Sequence, residues 1–237
     1  MWPLTTKLEP SSLWPIVILS LAIFSSNLPN ADGYNFLVLT PFGSRSVRAT
    51  FHILCEGLLA KGHHVTFMSS GEPIPVHENL VHVTSPHTAL DQLDLFKVRM
   101  GMDIFKIWKK AFPAAARELY QSMEIMSIWK KRQEFDAIII NSAANEMAFP
   151  FLLNTTAPFI TLQPAGIDLL QLAYLGNIIS PAAIPSIVLP YDNHMTLWER
   201  FVNTVTLLVL KYAFQRSVGK PLADALIPIF PDLPDPK

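Results

Sequence analysis

The chain has a single cysteine, Cys55, among 237 residues, so no internal disulfide can staple its fold. Its nine glycines are scattered, and neither a G-x-G-x-x-G nor a G-K-[ST] phosphate cradle occurs. Charge is scarce and balanced: 16% of residues are charged, with 18 basic against 19 acidic, which leaves no electrostatic footprint for nucleic acid. Past the N-terminus no stretch approaches the roughly 18 to 20 apolar residues of a membrane span; the best candidate, Val205 to Leu210, is far too short. The seven histidines are dispersed, and His77, His82 and His87 match no zinc-ligand pattern, so no metal is expected. Ser142, in INSAANE, lacks the glycines of a nucleophile elbow, which argues against a hydrolase.

What is abundant is apolar surface: half of the residues are hydrophobic, enough for a sizeable core in one large domain. The first residues stand apart. Lys7 precedes an apolar run from Leu13 to Phe24, followed by a small and polar stretch ending at Ala31. About 12 apolar residues suit the core of a signal peptide better than a bilayer span. Residues 1–31 are therefore expected to be a leader, and the sequon Asn154-Thr155-Thr156 agrees with a secretory route and with glycosylation at Asn154. The expected location is the lumen of the endoplasmic reticulum or the outside of the cell, with membrane association open but no transmembrane helix after the leader.

From Tyr34 the pattern is regular. Tyr34–Thr40 is a short apolar run closed by Pro41, as in a buried strand. Val47, Phe51, Leu54, Leu58 and Leu59 follow at helical spacing, and Gly62 stands where a helix end favours positive φ. Cys55 falls on the apolar side of that helix and reads as a buried thiol. Val65–Met68 is a second strand, Leu80–Thr84 a third, Phe135–Ile140 a fourth and Pro158–Leu162 a fifth. Between them, Asp91–Ala111 and Arg117–Arg132 read as amphipathic helices separated near Pro113, and Asn145–Leu153 as another. Lys109-Lys110 and Lys130-Lys131-Arg132 read as solvated clusters near helix C-termini. A Pro-rich loop from Gln163 to Asn193 precedes a long helix, Met195–Ser217. This alternation predicts an α/β domain: a Rossmann-like parallel sheet with helices on both faces.

Three blocks carry a family resemblance. The first is YNFLVLTPFGSRSVRATFHILCEGLLAKGHHVTFMSS, from Tyr34 to Ser70; the second is FDAIII followed by Asn145-Glu146; the third is GNIISPAAIPSIVLPYDNHMTLWERFVNT, from Gly176 to Thr204. Together they resemble the N-terminal half of the UDP-glycosyltransferases, the insect branch most of all. The resemblance implies an acceptor-side domain at residues 32–227, the N-terminal half of a GT-B fold, and the start of a Pro-rich interdomain linker at 228–237. It also implies hexosyl transfer from a UDP-sugar co-substrate to small lipophilic acceptors, and homo- or hetero-dimers with family members. The UDP-sugar would be held mainly by a second domain, so this chain is expected to bind no cofactor itself.

Such transfer needs a base for the acceptor hydroxyl, best met by a histidine oriented by a carboxylate. The resemblance places the base sixteen residues before the histidine of the Gly-His pair, which counted from His63 is Val47, and its carboxylate partner at Asn141. Both catalytic positions are therefore vacant. His52 is a poor substitute, because five residues along a helix turn it roughly 140° away and about 7.5 Å further on. Phe42, Arg48, Asn145 and Glu146 are the candidates for an acceptor pocket. The chain alone is expected to be inactive; the alternative is a non-catalytic module that binds a lipophilic ligand or dimerises.

Overall fold

Strand β1 (Asn35–Thr40) runs into helix α1 (Arg45–Ala60), and the chain returns through Gly62 to β2 (His64–Ser69). The turn works because Gly62 adopts φ +80° and donates its N–H to Leu59 O at 2.9 Å, closing the helix end. The start of α1 is capped by Ser44, whose hydroxyl accepts from the Val47 N–H. Next come β3 (Leu80–Thr84), α2 (Asp103–Gln121), α3 (Met123–Lys130), β4 (Ala137–Asn141), a 3-10 turn (Glu146–Leu152) and β5 (Phe159–Leu162). The chain then enters α4 (Leu197–Phe214), a π turn (Gln215–Gly219) and α5 (Lys220–Leu226). The computed structural model that defines these elements describes residues 33–71, 73–88, 90–91, 103–141, 146–164, 180–186 and 188–233. The expected leader and most of the helix expected from Asp91 lie outside them.

All five strands are parallel, in the order β3-β2-β1-β4-β5. Alternation along each strand feeds two cores. Val38, Phe67 and Ile139 meet Phe51, Cys55 and Leu59 of α1 on one face, while Leu37, Leu39, Met68, Ile138 and Ile140 meet α2, α3 and α5 on the other. The expected Rossmann-like α/β architecture is the one observed.

Several local expectations change. Pro113 does not divide two helices: α2 runs through it, and Ala111, Phe112, Ala115, Ala116 and Leu119 bury around the break in the ladder. Lys109 and Lys110 accordingly lie in mid-helix rather than at an end. Arg132 is no solvated cap. It is buried, donates to Leu153 O at 2.7 Å and Trp129 O at 3.0 Å, and lies 4.1 Å from the centre of the Trp129 ring. The segment after β4 is a 3-10 turn instead of an α-helix, because Pro150 sits inside it and disfavours α geometry before it. The final helix does not stop at Ser217 but passes through the π turn into α5, with Pro221 in the first turn of α5 just past it. Phe230, beyond α5, is buried against Tyr120 and Trp129, with ring centroids 4.7 Å from each.

Candidate functional site

In an open parallel sheet, ligands bind beyond the carboxyl ends of the strands where the winding reverses. Here that point lies between β1 and β4, whose connections leave in opposite directions. Its walls are the β1–α1 loop from Pro41 to Ser44, the first turn of α1, and the end of β4 at Asn141.

Asn141 is buried, and its amide Nδ2 donates to Phe42 O at 3.5 Å, so it braces the β1 loop against β4. Phe42 is half-buried, with its ring packed on the core under α2. Val47 is half-buried on the first turn of α1, and a Cβ on Gly43 would lie 3.2 Å from its Cγ1. Val47 and Asn141 thus both lie against the β1–α1 loop, Val47 at Gly43 and Asn141 at Phe42. Arg48 is a loop fastener here: its guanidinium donates to Gly43 O at 2.6 Å and lies over Gly71, at the end of β2.

His52 points elsewhere. Its ring stands edge-on to Phe67, 5.6 Å between centroids and 87° between planes, on the α1 face of the sheet. Its Nε2 is shut from water with no hydrogen-bond partner among the described residues. Burial holds its pKa below the ordinary histidine value, with Glu56 opposing and Arg48 adding to the drop. Across Phe67, His82 is 5.5 Å away and pairs its Nε2 with Ser69 Oγ at 3.0 Å; burial and then His52 lower its pKa as well.

Glu146 carries the most unusual electrostatics. It opens the 3-10 turn after β4, and its carboxyl Oε2 is closed off from water and unpartnered among the described residues. Burial raises its pKa to about 7, partly offset by a backbone hydrogen bond. A glutamate in the first turn of a helix ordinarily reads as an exposed complement to the dipole, so this burial is not legible from its position. Asn145 and Ser142 lie outside the described residues. Asn154 is exposed in the turn before β5 with φ +51°, and its carbonyl accepts from Gln133 Nε2.

A cavity of about 250 Å³ opens at the other end of the sheet, among Asn35, His64, Thr66, Glu78 and Phe135. It faces the amino ends of the strands, away from the winding reversal. Among the described residues no group of three or more potential metal ligands gathers, and no helix is long and apolar enough to cross a membrane. No family model, curated protein or solved structure matches the chain.

Proposed function

We propose that this chain is the acceptor-side domain of a UDP-sugar-dependent glycosyltransferase in which the pair that activates the acceptor hydroxyl has been lost. It binds a small lipophilic molecule in the crevice between β1 and β4 and transfers no sugar by itself. The observation that carries the reading is Asn141. At the end of β4 a transferase of this kind needs a carboxylate facing a histidine; the amide here is turned onto Phe42 O instead, and the first turn of α1 offers Val47. An amide cannot stabilise an imidazolium as a carboxylate does, and an isopropyl group takes no proton.

The remaining polar groups at this end of the sheet suit binding better than proton removal. Arg48 is committed to Gly43 O. Burial raises the Glu146 pKa to about 7, so its protonated carboxyl offers an O–H as well as an acceptor to a ligand hydroxyl.

Titration calorimetry tests the reading with two probes, a planar phenol such as 1-naphthol and UDP. The phenol should bind weakly and lose affinity in Glu146→Gln, while UDP should bind more weakly than about 100 μM, near −5.5 kcal/mol. Tighter UDP binding would assign a nucleotide site to this chain and sink the proposal.

A further inference from the structure

The face of the sheet that carries α2 and α3 changes character halfway along. Its carboxyl half is core, with Leu37, Met68 and Val83 buried on neighbouring strands. Two residues earlier on those strands stand Asn35, Thr66 and Val81, which the strand period of two puts on the same face. His64 lies opposite Asn35 in the β1–β2 register, and Thr66 lies opposite Val81 in the β2–β3 register. This amino half is left open, with Val81 58% exposed. It forms the floor of the cavity of about 250 Å³, and Glu78, Asn79 and Phe135 stand around it.

The walls are fixed before any ligand arrives. Phe135 packs on the core, and the residue after it is tied to β1 twice. Asp136 N–H donates to Asn35 O at 2.9 Å, and Asn35 N–H donates to Asp136 Oδ2 at 2.7 Å. Glu78 and Asn79 ride a turn closed by Leu80 N–H on His77 O at 3.0 Å and Asn79 N–H on His77 Nδ1 at 3.1 Å. Asn79 O in turn accepts from Val65 N–H at 2.9 Å. Walls held this way spare a ligand most of the ordering cost of binding. The polar side chains they carry are uncommitted. Those of Asn35, His64, Thr66, Glu78 and Asn79 make no hydrogen bond or ion pair among the described residues.

What these groups can recognise follows from their donors and acceptors. The two amides, the hydroxyl and a neutral imidazole each donate and accept, while the Glu78 carboxylate only accepts. An anion would bring acceptors alone and meet the charge of Glu78. A primary ammonium would bring donors alone and leave the amide N–H groups and the Thr66 O–H without acceptors. A hydroxyl does both, so a ring of hydroxyls answers every group, and its C–H face suits the Phe135 ring and the Val81 methyls. The volume lies just below the roughly 300–1,000 Å³ of pockets for drug-sized ligands, which fits a single six-membered ring. We infer that this cavity, at the amino ends of β1, β2 and β3, binds a small neutral polyol, a cyclitol or free monosaccharide. It lies at the opposite end of the sheet from the crevice, and it stands or falls independently of the reading given there.

Saturation-transfer NMR of the full chain with myo-inositol as the probe tests the inference. Binding should appear with a Kd on the order of 1–10 mM. Glu78→Gln removes the charge at nearly constant shape and should weaken binding about tenfold. Val81→Phe places a ring in the cavity and should abolish binding; the position is exposed, so the circular dichroism spectrum should not change. Butylammonium, inorganic phosphate and the crevice probe 1-naphthol should each leave the inositol signal in place. The absence of transfer to inositol at about 50 mM overturns the inference. Undiminished binding in Val81→Phe overturns it too. Displacement by butylammonium or phosphate would refute the hydroxyl chemistry, and displacement by 1-naphthol would move the site to the crevice.

Discussion

Arg48 and Gly71 meet where the first turn of α1 crosses the end of β2: a methyl group on Gly71 would lie 2.9 Å from Arg48 Nε. Gly71 also sits at φ +114°, a conformation side chains rarely adopt. Gly71→Ala is therefore expected to cost about 1–3 kcal/mol and to displace the guanidinium from Gly43 O. Chemical denaturation reads the first effect. Arg48→Met in the Gly71→Ala background separates the two: removing the fork should recover only the steric share of the loss, leaving the backbone strain.

Glu146 predicts an uncommon pH dependence. Its folded pKa of about 7 lies above the unfolded carboxylate value, so the folded state holds the proton longer. Its contribution is fully present below about pH 4.5 and is lost as pH rises through 7. His52 and His82 act oppositely: their folded pKa values are lowered, so their contribution is present above about 6.5 and is lost as pH falls. The two trends overlap between roughly pH 5 and 6.5 and partly cancel in the wild type. Glu146→Gln should remove the alkaline loss, stabilising the protein at pH 8 by on the order of 2 kcal/mol, and leave the acid loss exposed. Denaturant melts at pH 5, 6.5 and 8 on both proteins check this; parallel curves would contradict it.

Arg132 ties the end of α3 to the turn before β5 through two carbonyls while its guanidinium lies over Trp129. Arg132→Ala strands the Leu153 carbonyl and should cost about 2–3 kcal/mol. Arg132→Lys should recover less than half of that, since an ammonium cannot reproduce the planar fork. Equal stability of Lys and Arg variants would reduce the role to simple charge.

Transfer activity has two separable requirements. Incubated with UDP-glucose and 1-naphthol, the chain alone should yield no glycoside above the uncatalysed background. Joining a donor-binding domain after Lys237 should restore positioning, and Val47→His with Asn141→Asp should then restore the base, worth about 10²–10⁴ in rate. Full turnover from the fusion without the two substitutions would mean that another group takes the acceptor proton, with His52 and Glu146 the first to substitute.

The sheet was readable because each strand is a short apolar run bounded by turn residues, as in Leu80–Thr84, whose expected limits match β3 residue for residue. The β1–α1–β2 unit was equally plain, since periodicity and Gly62 agreed on where the helix ends. Prolines were the poorest guides. Pro113 lies within a helix because its neighbours bury enough to offset one missing hydrogen bond, and a local rule sees only the missing bond. Burial of charged groups was also invisible. Arg132 and Glu146 occupy positions where sequence favours solvated ends; for Arg132 it is the Leu153 carbonyl, 21 residues along the chain, that reverses this. At the crevice, the role of Arg48 as a fastener to the Gly43 carbonyl required the fold, because nothing in its position in the sequence points to that bond.

The closure of one core by the last described residues has a consequence for how the protein is made. Helix α5 packs along α2, and Phe230 seals Tyr120 and Trp129 behind it. A chain synthesised from its N-terminus, at about 5–20 residues per second, reaches those residues only after every strand of the sheet. Until then the α2 and α3 side of the sheet lacks its cover, and the nascent domain presents unfinished apolar surface. Completion of this core therefore waits for Phe230, and a premature stop before it should yield a product fit for degradation.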